Sequence, residues 1–150
     1  MFQYKRSEKY AHLMDRIMGP NPVKLCEELL SGTRLEKNMV VCDLGSGMGL
    51  TSLFMAKEYG YKVYASDLWS DPEENKAFFL SEGLDETQIV PVKADATDLP
   101  YEKEFFDGLV CTDSYNYFGR DPEYLDGKLL PFIKKGGYIY LAITGMKEDY

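Results

Sequence analysis

Apolar residues fall into five short runs along the chain, separated by stretches in which they recur at helical spacing. The runs predict strands over 39–43, 62–66, 89–93, 107–112 and 137–144. Three are rich in Val and Ile, and the longest are apolar on both faces, as a parallel sheet covered on both sides requires. Between the strands, residues 50–59 carry Leu50, Leu53, Phe54 and Ala56 along one side of a predicted helix that stops at Gly60. Asp71 can cap the next helix, Pro72 suits its first position, and Glu74, three after Asp71, can complete a capping box. Asp121 and Pro122 repeat the device before a helix predicted to reach about residue 135. Gly127 and Pro131 weaken that helix, and Gly136 and Gly137 end it. Two further helical segments, 8–17 and 22–31, precede the first strand and are separated by Gly-Pro-Asn-Pro at 19–22.

Strands alternating with helices predict an α/β fold: a doubly wound, mostly parallel sheet with helices on both faces and right-handed crossovers. With 150 residues, one domain is expected. Residues 1–38 form a helical entry or lid segment within it, and 39–150 form the α/β core.

Charge narrows the partners. Residues 1–40 hold seven Lys/Arg and five Asp/Glu, whereas the rest hold ten and twenty, for a total of −8. So acidic a body repels phosphate backbones, so no nucleic-acid partner is expected, and Lys5, Arg6 and Lys9 read as a solvated helix face. Cys26, Cys42 and Cys111 are odd in number, widely spaced and in apolar contexts, which predicts buried free thiols in a reducing compartment. With one histidine, His12, no metal site is expected. No apolar run approaches the ~18 residues of a membrane span, and the start, MFQYKRSEKY, lacks the apolar segment of a secretory signal. A cytoplasmic protein with no membrane partner is the expectation.

The candidate chemistry lies at VVCDLGSGMGLT, residues 40–51. A strand ends in Asp43, and Gly45, Gly47 and Gly49 follow at alternate positions. In a doubly wound sheet, ligands sit beyond the C-terminal ends of strands where the strand order reverses, and the first strand borders that point. A phosphate-cradling Walker loop would need Lys-Ser/Thr after its last glycine, where Leu50-Thr51 stands. A dinucleotide loop would need Gly or Ala at Leu50 or at Ser52. The carboxylate of Asp43 would repel a pyrophosphate and favour a cation.

DLGSGMG, residues 43–49, resembles the first motif of the class I, Rossmann-like S-adenosylmethionine (SAM)-dependent methyltransferases, an acid followed by Gly-x-Gly-x-Gly. Three later segments resemble the family in order: the acid Asp67, 18 residues after Gly49; KADATDLP, 93–100; and FFDGLVCTDSYNYFG, 105–119. LLPFIKKGGYIYLAI, 129–143, matches the helix, turn and fifth strand that follow. The likeness spans residues 39 to 144 and implies SAM as cofactor, with S-adenosylhomocysteine (SAH) as product. It implies that Gly45, Ser46, Gly47 and Gly49 lie against the methionine and ribose parts and that Asp43 orients that end. Asp67 would accept from the ribose hydroxyls, with Leu68 and Trp69 on the adenine face. Asp95 and the Ala96 amide would read the adenine edge, and Asp113 and Ser114 would approach the methionine moiety. The segment 18–29 resembles the entry segment of small-molecule methyltransferases of bacterial type, which implies contacts from Met18 and Gly19.

Methyl transfer from a sulfonium is an in-line displacement, in which positioning supplies most of the catalysis and a base is needed only if the acceptor holds its proton. Candidates for that base are Asp113, Tyr115, Tyr117 and His12. Asp113 also suits a helix N-cap, and a tyrosine needs a perturbed pKa to act near pH 7. The acceptor expected is a small molecule, since no Asn/Asp-Pro-Pro-Tyr type motif follows the fourth strand. The family's last two strands, an antiparallel hairpin, are not expected here, because the sequence runs only six residues past Thr144. A C-terminally truncated chain is therefore expected, with self-association through the exposed edge of the fifth strand. Such a fragment can be inactive. The competing readings are a SAM-binding non-catalytic domain and, against the glycine spacing, an NAD(P)-dependent oxidoreductase.

Overall fold

A computed structural model describes residues 22–46, 49–68, 70–95, 99–111 and 130–141. The elements run α1 (Pro22–Leu29), β1 (Val40–Leu44), α2 (Leu50–Tyr59), β2 (Lys62–Asp67), α3 (Pro72–Ser81), β3 (Ile89–Lys93), β4 (Phe106–Cys111), a 3-10 turn (Leu130–Phe132) and β5 (Ile133–Leu141). Every neighbouring pair of strands is parallel, in the order β3-β2-β1-β4-β5. The chain builds outward from β1 to β3, then crosses back so that β4 joins the other side of β1. The reversal between β1 and β4 is the switch point.

The two-residue period of the strands divides the core into two layers. Val41, Val63, Ala65, Ile89 and Val110 face α1, α2 and α3 in one buried cluster; Cys42, Leu44, Leu109 and Cys111 lie in the other. Tyr101 covers that second face, its ring stacked on Phe105 at 5.9 Å and edge-on to Phe106 and Tyr64. The three described helices thus share one face. The helix expected over 8–17 lies outside the described residues, as does residues 121–129 of the one expected to reach 135.

Three expectations need correction. Residues 133–135 are not helical: Ile133 pairs with Phe106, and β5 begins there, four residues before the expected start. Pro131 cannot continue a helix, and burial of Ile133 beside Phe106 favours pairing. Gly136 and Gly137 do not end a helix either. They lie within β5, where residues 134–137 bulge opposite Asp107 alone, and Gly136 takes φ 80°, the left-handed conformation glycine adopts freely. Residues 142–144 of the expected strand lie outside the described residues. Third, α2 is not apolar along one side only: Leu50 through Ala56 are all buried, Thr51, Ser52 and Met55 included, because α1, β2 and β3 pack around it.

The cap of α3 forms as expected, but through its second position: the Glu73 N–H donates to Asp71 Oδ1 at 2.9 Å, with Pro72 in the first turn. Asp71→Ala removes that acceptor and lowers stability by about 1 kcal/mol. Urea unfolding should show the loss as a lower midpoint at unchanged slope; an unchanged midpoint would mean the cap contributes nothing.

Candidate functional site

The loop after β1 is fastened to the neighbouring strand. The N–H groups of Gly45 and Ser46 both donate to the Ser66 carbonyl, at 2.7 and 3.2 Å, and Gly49 N–H donates to Ser46 O at 3.1 Å. Gly45 and Gly49 take φ 73° and 89°. Gly49 has a second requirement: a Cβ there would stand 2.7 Å from the ring of Phe79 on α3. The glycine that introduces α2 is demanded by packing as well as by backbone conformation.

Asp43 lies under this loop, 1 % exposed. Thr51 Oγ1–H and Ser52 Oγ–H, both on the first turn of α2, donate to the same carboxylate oxygen, Oδ2, each at 2.6 Å. The other oxygen, Oδ1, is buried and has no hydrogen-bond partner among the described residues; nor has the buried hydroxyl of Ser46. Burial pushes the Asp43 carboxyl up to about 6; the Ser52 and Thr51 hydroxyls pull it down, and the nearby Asp67 adds to the rise. A buried carboxylate with one oxygen unsatisfied is costly unless a cation or donor joins it. Its chemistry therefore fits a positively charged ligand with hydrogen-bond donors.

The remaining described acids lie at neighbouring strand ends. Asp67 closes β2, where its Oδ2 accepts from Ser70 N–H at 2.8 Å and its carbonyl from Ala94 N–H at 3.0 Å. That second bond ties β2 to the residue before Asp95, which is exposed, while Asp67 and Leu68 are half-buried. Asp43, Gly45, Ser46, Gly49, Asp67, Leu68 and Asp95 thus gather at the C-terminal ends of β1, β2 and β3. Gly47, Trp69, Ala96, Asp113, Ser114, Met18 and Gly19 lie outside the described residues, as do Tyr115, Tyr117 and His12.

Sequence reasoning missed Thr51 and Ser52. Their signal was present: two adjacent hydroxyls in the first turn of a helix that begins just past an acid-ended strand. It also missed what lies behind the loop. Ser66 Oγ sits 3.4 Å from Cys42 Sγ and 2.6 Å from Tyr101 Oη. Burial pushes both the Cys42 thiol and the Tyr101 phenol up, so neither is an ionised nucleophile near neutral pH. Cys26, Cys42 and Cys111 are buried free thiols. Among the described residues no cluster of His, Cys, Asp or Glu could hold a metal ion, and no helix is long and apolar enough to cross a membrane.

The chain is similar to a known family and to several solved structures. The profile of a family described as a methyltransferase domain matches residues 42–141. Among solved structures, a protein of Bacillus halodurans assigned as a methyltransferase is 25% identical, with a TM-score of 0.67 over 83% of this chain and 52% of its own. One from Methanococcus maripaludis, assigned as SAM-dependent, is 22% identical, with a TM-score of 0.70 over 95% of this chain and 66% of its own. Phosphoethanolamine N-methyltransferase 2 of Haemonchus contortus, solved with phosphomonomethylethanolamine and SAH, is 18% identical, with a TM-score of 0.68 over 84% of this chain and 30% of its own. At the last two identities the likeness is one of fold. The first two structures extend beyond the match, this chain spanning about half to two thirds of their length. No curated protein matches the chain.

Proposed function

Since the chain belongs to the class I, Rossmann-like SAM-dependent methyltransferases, we propose that it binds SAM at the ends of β1, β2 and β3 and serves methyl transfer to a small-molecule acceptor. The observation that carries the reading is the Asp43 carboxylate, buried with Oδ1 unpartnered beneath a glycine loop. SAM has an ammonium and a sulfonium and no phosphate, so its charge complements this site, whereas a dinucleotide's charge opposes it. The SAH held by the Haemonchus contortus enzyme supports the same choice.

In this reading Asp43 and Ser46 hold the amino-acid end of the cofactor, and the backbone at Gly45, Gly47 and Gly49 lies against it. Asp67 accepts from the ribose hydroxyls, Leu68 and Trp69 cover the base, and Asp95 with Ala96 reads its edge. Met18, Gly19, Asp113 and Ser114 complete the enclosure on the strength of the sequence resemblance. When bound, SAM supplies a methyl group on positively charged sulfur, which an acceptor atom displaces in line. The chain's own work is binding, orientation and exclusion of water. If the acceptor carries a proton, Asp113, Tyr115, Tyr117 and His12 are the candidates to remove it. A small acceptor is supported by the net −10 of residues 41–150, which repels phosphate backbones. Labelled methyl transfer to RNA or protein in preference to a metabolite fraction would overturn that part.

The test of the cofactor assignment is Asp67→Ala. A carboxylate accepting two hydroxyls contributes roughly 1.5–3 kcal/mol per bond, so affinity for SAM should fall well over tenfold. Calorimetric titration of parent and variant measures it. Equal affinities, or a parent that binds NAD and not SAM, would overturn the assignment.

A further inference from the structure

We propose that Thr51 and Ser52 are positioning residues: their hydroxyls clamp one oxygen of Asp43, holding it as a carboxylate whose other oxygen stays free for the cationic end of the cofactor. The inference rests on the SAM-binding reading above and deepens it. Its basis is an asymmetry. Two hydroxyls from successive residues of α2 converge on Oδ2, each at 2.6 Å, while Oδ1 of the same buried carboxylate has no partner among the described residues. Hydroxyls placed only to satisfy a buried acid would serve better one on each oxygen. Placed on one oxygen, they stop rotation of the carboxylate about its Cβ–Cγ bond and leave the second oxygen as an acceptor. Because they donate to the charged form, they also favour ionisation in a site where burial opposes it.

The groups that face Asp43 support this division of labour. From α2 come only the two hydroxyls, and from β2 comes Asp67, whose charge opposes ionisation; the adjacent Cys42 lies in the opposite layer of the core. Among the described residues no cation acts on Asp43, so the hydroxyls alone offset desolvation until a ligand arrives. Thr51 and Ser52 are themselves buried, at 5% and 0% exposed, as a fixed clamp requires.

The experiment is calorimetric titration with SAH, and with SAM, from pH 5 to pH 8, on the parent, Thr51→Val with Ser52→Ala, and Thr51→Ser. The parent's affinity should weaken below about pH 6, where Asp43 takes up a proton. Without the clamp, Asp43 protonates at higher pH. The double variant should then bind about twofold more weakly at pH 7 and about tenfold more weakly at pH 5, its pH profile displaced upward by about one unit. Thr51→Ser keeps the hydroxyl and should match the parent. Melting curves without ligand identify a variant that fails to fold, in which case the single Ser52→Ala variant carries the same comparison with a smaller displacement. A profile that stays at the parent's position on the pH axis, whether affinity falls or not, would reduce the hydroxyls to ordinary packing and overturn the clamp. A parent that binds neither SAM nor SAH would overturn the functional reading and the clamp with it.

Discussion

Replacing Asp43 with Asn should stabilise the free chain at pH 7.5 while removing most of its affinity for SAM. The two effects have opposite signs and one cause. In the folded chain burial raises the Asp43 carboxyl from an ordinary 3.8 to about 6. A group whose folded pKa is raised contributes stability that is fully present below the unfolded pKa and is lost as pH rises through the folded one. For Asp43 that window runs from about pH 4 to pH 6, and the loss across it amounts to about 3 kcal/mol. Asn keeps an amide oxygen for the Thr51 and Ser52 hydroxyls and does not ionise, so it carries no such loss. Urea unfolding at pH 4.5, 6 and 7.5 is the measurement. The stability of the variant relative to the parent should climb between the first and last values, whatever the other carboxylates do, since they are common to both. Parallel curves would mean that Asp43 ionises as freely in the fold as in the unfolded chain. Titration with SAM at pH 7.5 should find the variant weaker by more than tenfold, because a neutral amide attracts a cation poorly.

Gly49→Ala should be among the most damaging single-methyl changes available to this chain. The backbone there sits at φ 89°, which costs a non-glycine residue about 1–2 kcal/mol. The added methyl would also lie 2.7 Å from two ring atoms of Phe79, and such overpacking typically costs about 1–3 kcal/mol. The two contributions can be separated. In a Phe79→Leu background the ring is gone, so the same alanine should cost only the backbone part. A double-mutant cycle in urea should return a coupling of about 1 kcal/mol or more. A cycle that closes at zero would remove Phe79 as the reason for the glycine.

Gly49 marks the limit of what local sequence discloses. Its spacing from Gly45 marked the loop as a candidate ligand site, because the requirement for positive φ is local. Its contact with Phe79 is not: the two residues are thirty apart and meet only through the packing of α3. The same division runs through the fold. The bounds of α2 and β3 follow directly from pattern and punctuation, and β1, β2 and β4 lie within a residue of their expected ends. The start of β5 does not follow from pattern, because Ile133 becomes a strand residue by pairing with Phe106, 27 positions earlier, in a segment whose own sequence reads as a helix end. At the candidate site, Asp43, Asp67 and Asp95 stand out in the sequence because each is an acid at or just past the end of an apolar run. Thr51 and Ser52 were hidden because a hydroxyl in a helix's first turn usually faces water. Only the three-dimensional placement of α2 turns both onto Asp43.

The bulge between β4 and β5 separates two regions that are held in different ways. Below it, Ile133 meets Phe106, and Lys134 reaches Asp107, whose other oxygen accepts from the Val40 N–H. Above it, Tyr138 to Leu141 run in register with Gly108 to Cys111 toward the switch point. Residues 134–137 face one residue, so their number is not set by hydrogen-bond pairing. A gain or loss of length there should be absorbed as a wider or narrower loop at the N-terminal end of the sheet, without moving the C-terminal strand ends. Inserting or deleting one residue within 134–137 should therefore leave the pairing of Tyr138 to Leu141 with Gly108 to Cys111 in place.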